Sequence, residues 1–310
     1  MIPTRPPGIF LNAVTTRRTG TAAGLLAVAL WCWSGPALAG GSRALGPLPF
    51  LTLATLIGVV TGTVFHLVRG GSLAQLVRLP ARVAVASFIG VAVYTLLLTF
   101  AVSLADERDL GQIVLVNYLW PVLVVLLGGL LTDDRPRRVP MLLAVVLGFA
   151  GVAMCRGPET FTRPAGNLLP HGLAFAGALA WSVYSVLLRR WRVPDESCGS
   201  TPAFLSCSLL AAAIGLADGS FERMQLPPAN ALVWIVVYGV GTVGLGYPLW
   251  ELGMKRGSVH LVAVAAYIIP PVSAALMAVL FSEAASGWLI PGALLITAGA
   301  VVAARSGGPR

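Results

Sequence analysis

Charge is what this chain most lacks. Aspartate, glutamate, lysine and arginine make up 11% of its 310 residues, and lysine occurs once, at Lys255. A soluble globular domain carries about 25%. Cysteine is sparse too: Cys32, Cys155, Cys198 and Cys207 show neither CxxC nor metal-like spacing, which leaves no metal site and no disulfide framework. The three histidines, His66, His171 and His260, are far apart, and Asp106, Glu107 and Asp109 sit in one short loop. No nucleophile–base set follows from them, so the chain reads as no enzyme and needs no cofactor. By the sequence boundaries, no Asp, Glu, Lys, Arg or His falls near the middle of any apolar run.

What is there is apolar surface, with 57% hydrophobic residues and a mean hydropathy of +0.85. Ten apolar runs lie at about 20–39, 47–68, 80–105, 110–131, 139–155, 170–189, 201–217, 230–253, 258–281 and 285–304. Most approach or exceed the about 20 residues that cross a bilayer as a helix, so the expected fold is an all-α polytopic membrane protein with ten transmembrane helices. The first run, followed by Ala37-Leu38-Ala39-Gly40, imitates a cleaved signal peptide. It is read as a span because it has a counterpart later in the chain.

The net charge of +9 is not a nucleic-acid signal, since the basic residues sit at the ends of apolar runs. They set topology instead. With the N-terminus cytoplasmic, sixteen lie inside (Arg5, Arg17, Arg18; Arg69, Arg78, Arg82; Arg135, Arg137, Arg138; Arg189, Arg190, Arg192; Lys255, Arg256; Arg305, Arg310) and five outside. Both termini are therefore expected in the cytoplasm.

The chain also repeats itself. Gly24-Leu25 and Trp33-Ser34 recur as Gly172-Leu173 and Trp181-Ser182; Tyr118, Pro121 and Asp134 recur as Tyr267, Pro270 and Glu283; Gly151 recurs as Gly299. A shift of 148–149 divides the chain into a segment 1–18, a first five-helix repeat 19–156, a loop 157–169, a second five-helix repeat 170–305 and a tail 306–310. Five is odd, so the two repeats are inverted, as in many secondary transporters. One chain supplies both halves, and a monomer suffices.

Asn117-Tyr118-Leu119-Trp120-Pro121 interrupts the fourth run. Proline has no N–H for the carbonyl four residues back, so Pro121 frees the Asn117 carbonyl beside its own amide side chain. In a bilayer such groups face protein or a cavity. A kinked packing helix is the plainer alternative. Pro270 and Pro271 free the carbonyls of Ala266 and Tyr267 at the equivalent place, and paired helix breaks point to a midplane binding site. Among the aromatics inside spans, Tyr94, Trp120, Trp181, Tyr184 and Tyr267 are cavity candidates, with Ser185 on the face of Trp181 and Tyr184. Trp250 reads as an interfacial belt residue. Glu251, with Lys255 at i+4, reads as a paired interfacial acid or a coupling group. Gly239-Val240-Gly241-Thr242-Val243-Gly244 matches the dinucleotide GxGxxG but lies inside a span; its glycines permit close helix approach.

Over residues 17–305 the chain resembles the drug/metabolite transporter superfamily of the EamA type. The resemblance rests on two five-helix halves, a Pro in the fourth and ninth helices, and acids closing those helices at Asp134 and Glu283. Asn117-Tyr118-Leu119-Trp120-Pro121, Tyr247-x-x-Trp250 and Tyr267-x-x-Pro270 are similar to motifs of the bacterial aromatic amino acid exporters. The resemblance implies export of aromatic and other neutral amino acids across the bacterial inner membrane by alternating access, with Tyr94, Trp120 and Trp181 lining the cavity. The doubled Pro270-Pro271 and Glu251 depart from that pattern. Small multidrug exporters hold a buried Glu in their first helix, where this chain has Trp31-Cys32-Trp33-Ser34. An uncoupled facilitator is the reading; a proton-coupled exporter of other small metabolites or drugs is the alternative.

Overall fold

A computed structural model describes residues 7–105, 110–132, 137–157, 167–194, 196–222, 224, 229–281 and 287–306. Asp106, Glu107, Asp109, Asp134 and Glu283, and most of the expected 157–169 loop, lie outside the described residues. Every regular element among those described is helical. Among the described residues, nine helices are long and apolar enough to cross a membrane: α1 (Thr16–Leu45), α2 (Pro47–Val68), α3 (Ala81–Ser103), α4 (Gln112–Leu131), α5 (Arg138–Cys155), α6 (Leu168–Arg190), α7 (Ser200–Ala217), α8 (Ala231–Arg256) and α9 (Val259–Phe281). An apolar helix α10 follows at Leu289–Ser306; its apolar stretch Leu289–Val302 is shorter than the rest. Leucines and valines such as Leu26, Val60, Leu130, Leu142 and Leu209 are exposed on the outer faces, as lipid-facing helices require.

Five helices are irregular. In α1 the hydrogen-bond ladder is interrupted at Cys32-Trp33. Pro36 offers no N–H to the Cys32 carbonyl, and the Ser34 hydroxyl donates to the Trp31 carbonyl at 2.6 Å. In α4 a turn at Tyr118-Leu119 precedes Trp120-Pro121. The Leu119 N–H reaches only to the Val116 carbonyl, at 3.2 Å, the tight 3₁₀-type bond that lets the chain accommodate proline. In α9 a 3₁₀ turn at Ala266–Ile268 precedes Pro270-Pro271. In α3 and α8 the backbone widens into π-helix at Phe88–Val93 and Val237–Gly246. Such wide turns are frequent at functional sites.

Small residues set the helix spacing. A Cβ on Gly239 would sit 2.6 Å from the Ala54 carbonyl oxygen of α2, so the glycines of the dinucleotide-like motif bring α8 against α2. Between α5 and α10, a Cβ on Gly151 would sit 2.6 Å from the Gly292 carbonyl oxygen, and one on Gly299 would sit 2.8 Å from that of Ala144.

Burial in α1 and α6 follows one pattern at an offset of 150: Gly20, Gly24, Ala27, Val28, Trp31 and Cys32 are buried, as are Pro170, Ala174, Gly177, Ala178, Trp181 and Ser182. The letter match at 148 aligns Trp33 with Trp181, yet Trp33 is 42% exposed and Trp181 only 2%. Trp31 is thus the environmental counterpart of Trp181. Identical letters two residues apart in an Ala/Leu-rich helix hide this register, and burial reveals it.

Candidate functional site

The breaks in α1 and α4 and the π segments of α3 and α8 adjoin a buried aromatic cluster. Trp31 of α1, Trp120 of α4, Trp181 of α6 and Trp250 of α8 pack with ring centroids 5.1–6.5 Å apart. Tyr94 of α3 stacks on Trp181 at 5.6 Å. Tyr247 meets both Trp31 and Trp181 at 5.2 Å, and Phe204 of α7 packs edge-on against Tyr247 at 4.5 Å. Most of these pairs are edge-to-face or tilted, the geometries that the ring quadrupole favours, each worth about 0.5–1.5 kcal/mol beyond area burial.

Each polar handle in the cluster is directed. The Trp31 indole N–H donates to the Thr242 carbonyl in the π segment of α8 at 3.1 Å. The Trp250 N–H donates to the Ser185 hydroxyl at 3.1 Å. The Ser182 hydroxyl lies 3.0 Å from the Trp120 carbonyl and 2.6 Å from the Ala178 carbonyl, tying α6 to the break in α4. Asn117 is different. Its amide interacts with the Tyr94 hydroxyl, but Oδ1 is buried with no hydrogen-bond partner. A buried acceptor left open costs free energy and calls for an explanation.

Glu251 lies on the same helix as Trp250, one turn from the C-terminal basic pair. It is 2% exposed. Oε1 accepts from the Tyr184 hydroxyl at 2.9 Å and the Ser200 N–H at 2.7 Å; Oε2 accepts from Lys255 Nζ at 3.1 Å and the Gly199 N–H at 3.3 Å. Lys255 also donates to the Ser197 carbonyl, and Arg189 to the Lys255 carbonyl at 2.6 Å. The carboxylate thus accepts from a lysine, a phenol and the N–H groups at the start of a helix. Beside it a cavity of about 150 Å³ is lined by His66, Arg69, Cys198, Glu251, Lys255 and Arg256, among others. Burial first, then the Glu251 carboxylate, raises the Cys198 thiol above its ordinary pKa. Among the described residues no group of three His, Cys, Asp or Glu side chains is placed to hold a metal.

The sequence-derived residues divide accordingly. Asn117, Tyr94, Trp120 and Trp181 come together. Tyr184 and Ser185 stand behind the tryptophans, bonded to Glu251 and Trp250. Tyr267 is fully buried elsewhere: a Cβ on Gly148 of α5 would overlap its ring. Its hydroxyl is buried with no hydrogen-bond partner among the described residues. Pro121, Pro270 and Pro271 are buried at the two breaks. Two readings change. Trp250 is no belt residue, being 0% exposed in the middle of the cluster. Glu251 is paired with Lys255 as expected, but both side chains are buried. Trp31, Tyr247 and Phe204 were not singled out for the site. Pro36 beside Trp31 was the available signal for the first.

The comparisons with known proteins follow the same lines. Residues 168–305 match the EamA-like transporter family. The aromatic amino acid exporter YddG of Ancylobacter novellus is 36% identical over 292 residues, covering 93% of this chain and 98% of that protein. The chain belongs to the EamA-type transporters, in the branch of the aromatic amino acid exporters. The exporters of that name from Salmonella typhimurium and Escherichia coli are 26% and 24% identical, each over 93% of this chain and 97% of the relative. A solved crystal structure shares 32% identity and a TM-score of 0.80 over 94% of this chain and 99% of that one. This EamA-type protein is therefore a multi-pass membrane transporter and not an enzyme.

Proposed function

We propose that the protein exports aromatic and other neutral amino acids across the bacterial inner membrane by alternating access, as an uncoupled facilitator. The observation that carries the reading is the open Asn117 Oδ1 beside Tyr94, Trp120 and Trp181 at the break in α4. An ammonium group is the natural donor to that oxygen, and an aromatic side chain stacks on the neighbouring rings. A zwitterion brings no net charge into a site of amides, hydroxyls and carbonyls.

The architecture belongs to the same proposal: ten spans in two inverted five-helix halves, both termini cytoplasmic, complete in a monomer. It is supported by the breaks in α4 and α9, by π segments beginning 149 residues apart at Phe88 and Val237, and by the α5–α10 contact. A shift of 148 carries the Gly151–Gly292 pair onto Gly299–Ala144, as a two-fold axis between repeats would.

The test is flux in proteoliposomes of labelled phenylalanine, threonine and an organic cation, with and without a pH gradient. Equilibration of both amino acids independent of ΔpH is expected. A second reading, a proton-coupled exporter of other small metabolites or drugs, is favoured by the burial of Glu251 one hydrogen bond from Tyr184. Accumulation above equilibrium only with ΔpH, or flux of the cation alone, would establish it instead.

A further inference from the structure

We infer that Glu251 is a positioning residue of the transport cycle: it latches the inner half of α8 against α6 and α7, and Tyr184 links that latch to the aromatic site. The inference rests on the transporter reading above and adds a residue-level device to it.

The inner half of α8 begins where its backbone returns from π-helix to α-helix at Tyr247-Pro248. A π segment has lost regular i→i−4 bonding, and with Pro248 it is the natural bending point of the helix. Past that point, α8 is joined to its neighbours by directional bonds. Glu251 takes bonds from Tyr184 of α6 and from the first N–H groups of α7, while Lys255 reaches the Ser197 carbonyl before α7 and accepts Arg189 of α6 at its own carbonyl. Swinging the inner half of α8 away from α6 and α7 breaks these bonds together. They hold the inner side shut only while all are made.

Tyr184 gives the latch its input. Its hydroxyl bonds Glu251 at 2.9 Å, and its ring lies 5.6 Å from the Trp181 ring. Trp181 in turn meets Tyr94 and Trp120. A substrate that displaces Trp181 therefore moves the ring that bonds the carboxylate. No other side-chain hydrogen bond among those above joins the cluster to the Glu251–Lys255 pair.

Cys198 reports on the latch, because it lines the cavity beside Glu251 and is 7% exposed. In full-length protein with Cys32, Cys155 and Cys207 replaced by alanine, alkylation of Cys198 by a maleimide added from the cytoplasmic side is measured without and with phenylalanine. The parent should label slowly, and phenylalanine should speed it severalfold. Glu251→Gln should raise the substrate-free rate about tenfold. Tyr184→Phe, which keeps the ring and removes the bond, should raise the basal rate less and cut the phenylalanine response below twofold. A merely structural role would lower thermal stability in both variants and leave the ratio of rates with and without phenylalanine unchanged. Parental substrate-free labelling in both variants overturns the latch. Because those rates need no substrate, the latch can stand even if phenylalanine flux, and with it the proposed function, fails.

Discussion

Replacing Asn117 by leucine separates structural from functional roles by sign. The side chain keeps its approximate size, loses the polar contact of its amide with the Tyr94 hydroxyl and removes the unpartnered Oδ1. An unsatisfied buried acceptor costs about 1–3 kcal/mol, whereas an ordinary hydrogen bond contributes about 1 kcal/mol net. The balance lies between about zero and 2 kcal/mol in favour of leucine. Melting in detergent should therefore be unchanged or rise by a few degrees. Transport should go the other way. A bond from an ammonium to Oδ1 is worth about 1.5–3 kcal/mol, and each 1.4 kcal/mol is tenfold. The apparent affinity for phenylalanine in proteoliposomes should thus fall roughly 10- to 100-fold. A variant that melts clearly lower and transports with parental affinity would refute the reasoning, because Asn117 would then be packing the kink in α4 and nothing more.

Trp120→Ala removes the edge-on contacts with Trp31, Trp181 and Trp250; the ratio of phenylalanine to threonine flux should drop about 2- to 10-fold, as one lost aromatic pair predicts. Burial and the Glu251 carboxylate raise the Cys198 pKa, so less thiolate is present at a given pH and alkylation should climb only above the range of an ordinary thiol. Glu251→Gln removes one of those two causes, and the pH profile of labelling should move to lower pH, an effect separate from any change in access. Ser273→Cys, on the far side of the α9 break and facing Gly35 of α1, should label from outside faster than Cys198 labels from inside when no substrate is present. Glu251→Gln should bring the two rates together.

Membrane class, helix positions and the proline breaks were legible because composition and proline chemistry are local. Pro121 and Pro270 announce the interruptions in α4 and α9 without knowledge of what packs there. The π segments carry no comparable sign: Phe88–Val93 reads as ordinary apolar helix, and the widening depends on neighbours such as Tyr184, on whose Cβ a Cβ at Gly90 would intrude. Trp250 was misplaced because depth along a helix says nothing about rotation toward the core. Glu251 was misread for a related reason. Spacing predicts its pairing with Lys255, but the N–H groups of Gly199 and Ser200 that complete its coordination come from a loop some fifty residues away.

The same distance in sequence conceals an asymmetry that a repeat would otherwise forbid. At the offset that superimposes the π segments, Glu251 corresponds to Val102, which is 38% exposed, and at the α1–α6 offset Tyr184 corresponds to Ser34, whose hydroxyl is spent on the Trp31 carbonyl of its own helix. Val102 and Ser34 cannot build the inner bond at the outer end. Two halves that merely exchanged shapes would leave inward- and outward-closed states equal in energy; a latch at one end makes them unequal. A bias of about 2 kcal/mol, no more than one charged hydrogen bond, corresponds to roughly thirtyfold in population. The resting protein should then be closed inside and open outside, and a cytoplasmic substrate must wait for that latch to release. Export would be limited by opening toward the cytoplasm, which is why substitutions at Tyr184 and Glu251 should alter transport rates although neither side chain belongs to the Asn117 site.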